Sequence, residues 1–307
     1  MINNGLEMGI KKDGFKGEIR RHVPMKECTS FRIGGTADLV LYPQEIGDLQ
    51  IVMDRCRDQK LPYLLLGNGT NLLVSDRGVR EPVINLSHGF GEMRKQGSTV
   101  MAGAGVKLIQ LLRMCAANNL SGLEPLAGIP GTVGGGIWMN AGSWDMQIGD
   151  LVSSLMVMDR TGKIRWVKRD EVEFDYRRTK LPAEELILQG EFSLQREKGT
   201  KIVKRMEEFL RKKKETQPLF QPSAGSIFKN PLGIAAGKLI EEAGLKGTRK
   251  GDAMVSPLHA NFIVNVGAAR SKDVLELIDL IRERIYQGKG VKLELEVMII
   301  GEPEMAA

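Results

Sequence analysis

The stretch GIPGTVGGGIWMNAG, residues Gly128–Gly142, limits the fold of this chain more than any other. Six of its fifteen residues are glycine, and none is charged. Because glycine costs about 0.5–1 kcal/mol inside regular structure, this density predicts main-chain N–H groups that closely approach a ligand, most readily an anion. Two common nucleotide motifs do not fit the stretch. No Lys-Ser or Lys-Thr pair follows at the required distance, and Met139 occupies the place of the third glycine in G-x-G-x-x-G.

Length and composition are those of a globular protein with two or three domains. The chain has 307 residues, of which 42% are hydrophobic and 27% are charged. The first residues, MINNGLEMGIKKDGFKGEIRRH, contain no long apolar core, and no stretch approaches the length of a membrane span. We therefore expect no targeting segment and a cytoplasmic location.

Cysteine and histidine are few and scattered, which argues against disulfides and against a metal site. The cysteines are odd in number and lie outside any C-x-x-C motif, so we expect free thiols in a reducing compartment. The histidines form no H-x-H or H-E-x-x-H pattern, so we expect no bound metal. These residues are Cys28, Cys56, Cys115, His22, His88 and His259.

The net charge of +6 is compatible with a nucleic acid partner, with a phosphorylated small molecule, or with a merely soluble surface. The densest basic segment, Lys201–Gln217, has Val203, Met206, Phe209 and Leu210 at helical spacing, which predicts a solvated basic helix face. Aromatic residues make up only 5% of the chain, which argues against a surface that stacks single-stranded bases. We therefore expect no nucleic acid partner.

Hydrophobic patterning predicts an α+β chain with mixed sheets. Short β-like runs alternate with glycine turns and two helices in the first half, and the pattern changes after Gly199, where a basic helix begins. We place a domain boundary near residue 200 and a weaker one near residue 80. The predicted strands and hairpins are Ala37–Pro43, Pro62–Gly67, Pro82–Leu86, Ser98–Gly105, Leu151–Val167, Glu185–Gln195, Asn261–Val266 and Leu293–Gly301, and the predicted helices are Glu45–Gln59, Lys107–Asn119, Lys201–Gln217, Ala235–Gly244 and Asp273–Gln287.

Two further loops have the composition of a ligand cradle. SFRIGG (Ser30–Gly35) places a glycine pair before a strand, and GNGTN (Gly67–Asn71) follows an apolar run. Turns of this kind can present several N–H groups to a pyrophosphate, although each alone is also common hairpin punctuation. Three such loops in one half of the chain predict a site for a dinucleotide or a diphosphate.

Six segments occur in order along the chain: SFRIGGTADLVLYP, LLLGNGTNLLVSD, GLEPLAGIPGTVGGGIWMNAG, FDYRRTKL, TQPLFQPSAGSIFKNP and LELEVMIIG. Together they resemble the UDP-N-acetylenolpyruvoylglucosamine reductase family over about residues 21–301, and the short chain is similar to the compact type II members. The resemblance implies an α+β fold with a two-lobed FAD-binding domain of the vanillyl-alcohol-oxidase (PCMH) type. Its lobes would be residues 1–80 and 81–199, and residues 200–307 would form an α+β substrate-binding domain.

The resemblance also implies the activity. FAD would be bound, NADPH would be the hydride donor, and UDP-N-acetylglucosamine enolpyruvate would be reduced to UDP-N-acetylmuramate in peptidoglycan precursor synthesis, and so in cell wall biogenesis. Hydride from the reduced flavin would reach C3 of the enolpyruvyl group, and negative charge would develop at C2. The chain would then be a UDP-N-acetylmuramate dehydrogenase with small-molecule partners and no membrane partner, and a monomer is favoured.

The family motifs assign a set of small or polar residues to FAD, because main-chain N–H groups would line the diphosphate and the isoalloxazine ring. Two departures are conservative: Thr70 stands where serine is usual, and Gly136 stands where alanine is common. The residues assigned to FAD are Arg32, Gly34, Gly67, Asn68, Gly69, Thr70, Asn71, Gly128, Ile129, Gly131, Thr132, Gly135, Asn140 and Ala141.

Three side chains are assigned to the chemistry by the same motifs. Ser226, in GSIFKNP, would protonate C2, although a serine beside Gly225 could instead merely cap a turn. Arg177, in DYRRT, would hold the substrate carboxylate, since a guanidinium forms bidentate hydrogen bonds to it. Glu296 would stabilise the enolate-like charge as a hydrogen-bond donor; the alternative for it is an exposed glutamate of an edge strand.

Substrate binding is assigned to further residues of the C-terminal part. Two of them follow Ser226 by three and four positions, and for the other three a surface role is equally compatible. Met298 is a departure, since many members have arginine there, so another cation would have to bind the substrate phosphate. The residues assigned to substrate are Lys229, Asn230, Lys213, Lys238 and His259.

Two other functions are alternatives to the reductase. A flavin oxidase or dehydrogenase of the same fold, acting on an alcohol or a hydroxy acid, would have a similar FAD-binding half. It would give no reason for Ser226 and Glu296 to occur together. A non-catalytic nucleotide- or RNA-binding protein would use the basic helix face and would carry no bound chromophore.

Overall fold

The computed structural model describes residues 2–181 and 185–302. The chain forms two compact units. Unit 1 comprises Met1–Arg20, Leu39–Asn68 and Glu81–Arg211, and unit 2 comprises Arg21–Asp38, Gly69–Arg80 and Lys212–Ala307. The division into domains at residues 80 and 199 stays a prediction.

Helices and strands are mixed along the chain, as expected of an α+β fold. The α-helices are α1 (Ile2–Lys12), α2 (Ile46–Asp58), α3 (Leu108–Ala117), α4 (Val133–Trp138), α5 (Gly199–Thr216), α6 (Ala236–Glu242) and α7 (Ser271–Lys289). The strands are β1 (Glu18–Pro24), β2 (Thr36–Tyr42), β3 (Leu64–Leu66), β4 (Leu72–Val74), β5 (Val83–Asn85), β6 (Met93–Gln96), β7 (Thr99–Gly103), β8 (Leu120–Ser121), β9 (Gly142–Ser143), β10 (Met146–Gln147), β11 (Val152–Met158), β12 (Ile164–Lys168), β13 (Glu173–Asp175), β14 (Arg178–Lys180), β15 (Leu186–Ser193), β16 (Gln195–Arg196), β17 (Ser223–Ser226), β18 (Arg249–Lys250), β19 (Ala253–Val255), β20 (Phe262–Asn265) and β21 (Met298–Ile300).

A five-stranded sheet of unit 1 is antiparallel, in the order β12-β11-β15-β7-β6. Its central strand β15 pairs with β11, where Leu155 lies opposite Gly190, and with β7, where Val100 lies opposite Phe192. Large side chains of this sheet enter one core with Ile137 of α4. The helix inside the glycine-rich stretch is therefore fixed on the sheet by apolar packing.

Parallel strands form a second sheet in unit 1. Strand β5 lies between β2 and β3, so that Ile84 is beside Leu41 on one side and beside Leu65 on the other. The paired segments Val40–Leu41, Leu64–Leu65 and Val83–Ile84 are aliphatic, as is usual where parallel strands are covered. Helix α2 contributes the buried side chains of Leu49 and Met53 to the same core.

Unit 2 contains an antiparallel sheet in the order β17-β20-β19-β18, together with helix α7. Helix α7 places Val274, Leu277, Ile281 and Ile285 at helical spacing, and each of these side chains is at most 1% exposed. The helix ends at Gly290, whose left-handed φ of 67° stops the last turn. Strand β21 pairs in parallel with β4 within this unit.

Most of the predicted elements are present, and the structure differs from the predictions in several places. Helix α4 forms within the glycine-rich stretch, where propensity disfavours it. Helix α1 and strand β1 were not predicted. The strand predicted over Leu293–Gly301 is regular only over Met298–Ile300. The pairing before Met298 is irregular because the N–H groups of Glu296 and Val297 both point at the carbonyl of Ile227.

Residues 2–181 and 185–302 contain no helix that is long and apolar enough to cross a bilayer. The same residues contain no group of three or more His, Cys, Asp or Glu side chains that could hold a metal ion. Burial raises the pKa of Cys56 to about 11 and that of Cys115 to about 12. Both side chains are therefore unreactive thiols at neutral pH.

Candidate functional site

The glycine-rich stretch of unit 1 forms a tight loop that leads into α4. Thr132 caps this helix, because its Oγ1 accepts a hydrogen bond from the N–H of Gly135 at 3.4 Å. Packing requires glycine at Gly134, where an added Cβ would lie 2.8 Å from the Cβ of Ala104. The backbone requires it at Gly131, whose φ is 134°. The glycines therefore allow the loop to press against its neighbours.

The loop after β3 meets this stretch within unit 1. A Cβ added at Gly67 would lie 2.6 Å from the Oγ1 of Thr132, so the two segments are in close contact. Asn68, Gly128 and Gly131 line a cavity of about 810 Å³, which falls in the range of about 300–1,000 Å³ typical of small-ligand sites. All five residues are assigned to FAD by the sequence motifs, and the fold brings them together.

Main-chain N–H groups at this cavity match an anion cradle. Among the described residues, no protein group accepts a hydrogen bond from the N–H of Gly67, Asn68, Gly128, Gly131 or Thr132. Unpaired main-chain N–H groups are rare in buried residues such as Thr132, and several N–H groups presented by neighbouring turns can bind an anionic group. The residues present therefore fit a ligand that carries a diphosphate, as FAD does.

Helix α5 lines the same cavity with Met206 and Leu210. An ion pair fixes this helix to the segment before the glycine-rich stretch, since Arg205 Nη2 donates to Glu124 Oε1 at 2.6 Å. The Glu124 carboxylate also accepts the N–H of Gly122 at 2.6 Å, and its side chain is only 5% exposed. Burial by itself would raise the pKa of Glu124, but these hydrogen bonds outweigh it and lower the pKa overall.

Arg177 lies in the two-residue turn of the hairpin formed by β13 and β14. Its backbone is left-handed, with a φ of 57°, a conformation that costs a non-glycine residue about 1–2 kcal/mol. Its Nη2 donates to the carbonyl of Gly142 at 3.1 Å, and its guanidinium carbon is 5.0 Å from the ring centre of Tyr176. Backbone strain at a candidate functional residue is typical of a side chain that must be held in one direction.

Asn140 is almost completely buried, at 1% exposure, and its side-chain amide forms three hydrogen bonds within unit 1. Nδ2 donates to Gln147 Oε1 and to the carbonyl of Asp175, both at 2.8 Å, and Oδ1 accepts the N–H of Gly149 at 3.1 Å. The main-chain N–H of Asn140 is also used, because it donates to the carbonyl of Ile137. The side chain of Asn140 is thus committed to the protein itself.

In unit 2, Ser226 ends strand β17 and lies opposite Phe262 of β20. Gly225, which precedes it, has a φ of 77° and lies in a bulge of this pairing, and an added Cβ there would meet no atom within 4 Å. The buried side chain of Asn261 holds the chain after Ser226: it accepts the N–H of Phe228 at 3.0 Å and donates to the Phe228 carbonyl at 2.7 Å. The direction of the serine is therefore set by a bulge and by an amide clamp.

Glu296 lies beside the segment that carries Ser226. The Glu296 N–H donates to the carbonyl of Ile227 at 2.8 Å, and Asn71 Nδ2 donates to the Glu296 carbonyl at 3.0 Å. Glu296 is half-buried, whereas the side chain of Glu294 is 79% exposed. Unit 2 thus brings together Asn71, Ser226 and Glu296 of the sequence-predicted set.

Arg32 belongs to a loop that is fixed to β17 and β20 within unit 2. Ser30 Oγ donates to the carbonyl of Ser223 at 2.7 Å. Asn265 Nδ2 donates to the carbonyls of Phe31 and Arg32, at 3.3 and 3.4 Å. Arg32 itself has a left-handed φ of 56°. A second predicted arginine therefore combines a strained backbone with an asparagine that holds its main chain.

Gly34 and Gly69 leave no room for side chains in this part of unit 2. A Cβ on Gly34 would lie 2.6 Å from the Cβ of Val74, and a Cβ on Gly69 would overlap the carbonyl of Cys28. The N–H of Ser30 donates to the carbonyl of Gly69 at 3.1 Å. The residues of unit 2 that are assigned to FAD therefore lie in two adjoining loops.

The two substrate-assigned lysines on helices have opposite surroundings. Lys213 of α5 is only 3% exposed, although the sequence pattern predicts a solvated basic face there. The side chain of Lys238 on α6 is 73% exposed and has Glu242 at 3.9 Å. A buried ammonium group needs polar partners, and Lys213 has an interaction of its own within the protein, whereas Lys238 is solvated.

The other substrate-assigned residues are only partly available. Lys229 Nζ is 3.5 Å from Glu294 Oε2, and Asn230 Oδ1 accepts the N–H of Ala236 at 3.0 Å. Burial lowers the pKa of His259 below its ordinary value, and among the described residues its Nδ1 has no hydrogen-bond partner. At neutral pH an uncharged histidine is a weak partner for a diphosphate.

Sequence reasoning missed Asn261 and Asn265, which are 3% and 5% exposed. Both are in the run NFIVN, where an asparagine stands at each end of three apolar residues. Buried amides must be paired with other polar groups. Two asparagines flanking a predicted buried strand were thus a usable signal for clamps on neighbouring segments.

Comparisons with known proteins bear on the family and on the fold. A family model for the C-terminal domain of UDP-N-acetylenolpyruvoylglucosamine reductase matches residues 217–300, and an FAD binding domain model matches residues 37–168. The UDP-N-acetylenolpyruvoylglucosamine reductase of Alkaliphilus oremlandii is 42% identical over 91% of this chain and 92% of the relative. The protein of the same name from Clostridium novyi is 39% identical over 98% of this chain and 97% of the relative.

Solved structures of a reductase of this name and of one other enzyme also match the chain. The crystal structure of the UDP-N-acetylenolpyruvylglucosamine reductase (MurB) from Thermus caldophilus matches with a TM-score of 0.80 and 38% identity, covering 92% of this chain and 99% of that one. A structure of berberine bridge enzyme matches with a TM-score of 0.50 and 14% identity, covering 63% of this chain and 44% of that one. At that identity the likeness concerns the fold alone. The predicted α+β fold with an FAD-binding domain of this type is confirmed.

Proposed function

The chain belongs to the UDP-N-acetylenolpyruvoylglucosamine reductase family, and from that premise we propose which of its residues carry out the reduction. It is an FAD- and NADPH-dependent oxidoreductase, a UDP-N-acetylmuramate dehydrogenase of peptidoglycan synthesis. Its substrate is a small molecule, the enolpyruvyl ether of a UDP-sugar.

The observation that carries the proposal is the cradle of unpaired N–H groups where two glycine loops of unit 1 meet. Main-chain donors with no side chains above them can approach a diphosphate closely. When bound, FAD would supply the hydride for reduction of the enolpyruvyl group. The residues proposed to hold FAD are Gly67, Asn68, Gly128, Ile129, Gly131, Thr132, Gly135 and Ala141 of unit 1, and Arg32, Gly34, Gly69, Thr70 and Asn71 of unit 2. Asn140, which the motifs also assign to FAD, is left out because its N–H and its side-chain amide are hydrogen-bonded within the protein.

Arg177 is proposed to bind the substrate carboxylate. A guanidinium can form two parallel hydrogen bonds to a carboxylate, and it keeps its charge at all relevant pH values. As C2 becomes electron-rich, charge spreads into this carboxylate, so the ion pair becomes stronger toward the transition state. The strained turn of Arg177 supports this role, because strain persists where a side chain must be held in one direction.

Ser226 is proposed to protonate C2, and Glu296 to stabilise the charge that develops there. A serine hydroxyl is a weak acid, but an enolate-like carbon is a strong base, so the intermediate itself drives the transfer. The contacts that join Glu296 to Ile227 and to Asn71 support a shared role for this segment and the one that carries Ser226. Glu296 in its neutral form would donate a hydrogen bond to the developing charge.

Lys229, Asn230, Lys213, Lys238 and His259 are proposed to contact the rest of the substrate. Lys213 is proposed as a cation for the diphosphate, since Met298 supplies no charge where relatives of this family often have arginine. Lys238 is the weakest of the set, since its side chain is 73% exposed. The three domains at residues 1–80, 81–199 and 200–307, a monomeric state and a cytoplasmic location also stay proposals.

An anaerobic spectrophotometric titration tests the proposed function. The purified protein should be yellow; NADPH should bleach the flavin absorbance, and the enolpyruvyl UDP-sugar should restore it with one equivalent of UDP-N-acetylmuramate formed. A flavin oxidase would instead be bleached by an alcohol or a hydroxy acid. A protein that stays colourless after incubation with FAD would contradict the proposal and would leave the binding-protein alternative.

A further inference from the structure

The hairpin that carries Arg177 is attached to the glycine-rich stretch by side-chain hydrogen bonds within unit 1. These bonds join segments that are about forty residues apart in sequence, so the stretch that lines the cavity also holds the hairpin. They run from Thr179 Oγ1 to the carbonyl of Ile137, from Arg177 Nη2 to the carbonyl of Gly142, and from Asn140 Nδ2 to the carbonyl of Asp175.

Asn140 belongs to the stretch, and its own side chain reaches the hairpin. Its target, Asp175, is the last residue of β13 and lies two positions before Arg177. On its other side the amide accepts the N–H of Gly149, where an added Cβ would overlap the ring of Phe174. The amide is thus fixed between the segment around Gly149 and the start of the arginine turn.

The backbone of Arg177 needs such a support. Its φ of 57° costs about 1–2 kcal/mol relative to an ordinary conformation, and strained residues persist where the surrounding structure over-determines them. Without the Asn140 amide, the carbonyl of Asp175 would lose the hydrogen bond from Nδ2 at 2.8 Å, and the turn could relax toward an unstrained geometry. The guanidinium would then no longer be presented in a single direction.

We propose that Asn140 is a positioning residue for Arg177, acting through the carbonyl of Asp175, and that its side chain does not bind the cofactor. The inference rests on the proposed role of Arg177 in binding the substrate carboxylate. The glycine-rich stretch then has two roles. Main-chain N–H groups near Gly128–Thr132 bind the cofactor, and the side chain of Asn140 orients the arginine that binds the substrate.

The test is Asn140→Gly, measured on the flavin-loaded enzyme. Glycine adopts the φ of 42° at this position without strain, so the substitution removes the amide and spares the backbone. Flavin content and the rate of flavin bleaching by NADPH should stay within about twofold. The Kd for the enolpyruvyl UDP-sugar, read from the flavin absorbance of the oxidised enzyme, should rise, and reoxidation by that substrate should slow about 100-fold.

Asn119→Gly is the matched control. Asn119 is also left-handed, with a φ of 59°, and its Oδ1 accepts the N–H of Gly199 at 2.8 Å in the same unit. Both half-reactions should be unchanged in this variant. If Asn140→Gly gives no folded flavoprotein, Asn140→Ser, whose hydroxyl is too short to reach the Asp175 carbonyl, replaces it in the same measurements.

Arg177→Ala distinguishes a failure of this inference from a failure of the proposed function. If Arg177→Ala alone leaves reoxidation by the substrate unchanged, the role of Arg177 is wrong. If Arg177→Ala is slow but Asn140→Gly is normal, only the positioning role is wrong. The double variant should be no slower than Arg177→Ala. Loss of flavin from Asn140→Gly, with flavin retained in Arg177→Ala, would overturn the inference because the amide would then serve the cofactor.

Discussion

The hairpin of Arg177 in unit 1 and the bulge of Ser226 in unit 2 each hold a candidate catalytic side chain in one direction, but they use the left-handed conformation differently. In each, a buried asparagine holds the main chain next to a candidate catalytic side chain: Asn140 is 1% exposed and Asn261 is 3% exposed. In unit 2 the left-handed residue is Gly225, which adopts its φ of 77° without strain. In unit 1 the arginine itself occupies the left-handed conformation.

The difference shows which residue each unit requires at its left-handed position. In unit 2 the backbone alone requires glycine before Ser226, because an added Cβ at Gly225 would meet no atom within 4 Å. Arg177 combines the strained position and the functional group in one residue, so no substitution can improve one without affecting the other. We therefore expect stability and activity to move in opposite directions at Arg177, and to fall together at Gly225.

The largest expected effect is that of Arg177→Gly compared with Arg177→Ala. Both variants lack the guanidinium, so both should lose about 10²–10³-fold in reoxidation by the substrate. Glycine also removes the strain at a φ of 57°, so Arg177→Gly should be more stable than Arg177→Ala by about 1 kcal/mol in urea unfolding. Equal stability of the two variants would show that the turn is not strained.

Gly225→Ala should have a smaller effect on product formation. A control variant tests whether this effect acts through Ser226. Alanine at a φ of 77° should lower the free energy of unfolding by about 1–2 kcal/mol. Gly233→Ala is the control, since Gly233 has a φ of 78° and equally open space in the same unit. Both variants should lose similar stability, but only Gly225→Ala should slow product formation. Normal product formation in Gly225→Ala would show that the bulge does not aim the serine.

The smallest expected effect is that of removing the charge of Glu124. Hydrogen bonds from Arg205 and the main chain lower the pKa of Glu124 below its ordinary value although burial opposes them, so its stabilisation is present above the unfolded-state pKa and is lost as pH falls through the folded-state pKa. Glu124→Gln should cost about 1–2 kcal/mol in urea unfolding at pH 7 and less at about pH 4. Asn261→Ala, which removes a neutral clamp in unit 2, should show no such change with pH. A pH-independent cost at Glu124 would contradict the ionic contribution.

Local patterns in the sequence predicted much of the fold. Helix α7 and the hairpin of β11 and β12 have strong apolar periodicity and clear turns, so their positions could be predicted from short windows. Helix α4 could not, because its stability comes from the Thr132 cap and from close packing of Gly134 on Ala104, which propensity does not register. The irregular segment before Met298 was missed because its pairing depends on one carbonyl of a distant strand.

The candidate site divides in the same way. The loops of Gly67 and Gly128 were predicted from glycine density, and the fold brings them to one cavity. The asparagine clamps were not predicted as clamps, because Asn140 and Asp175 are 35 positions apart and Asn261 and Phe228 are 33 positions apart. The run NFIVN indicates that its asparagines are buried and paired, but the partner of each asparagine is visible only when the chain is folded.

Single-turnover kinetics of Ser226→Ala test the central claim most directly, with Ser223→Ala of the same strand as the control. NADPH should bleach the flavin of both variants at the wild-type rate, because Ser226 acts only after hydride has reached C3. Formation of UDP-N-acetylmuramate should slow by about 10²–10⁴-fold in Ser226→Ala and stay normal in Ser223→Ala. Equal slowing of both half-reactions in Ser226→Ala, or normal product formation, would contradict the assignment of the proton donor.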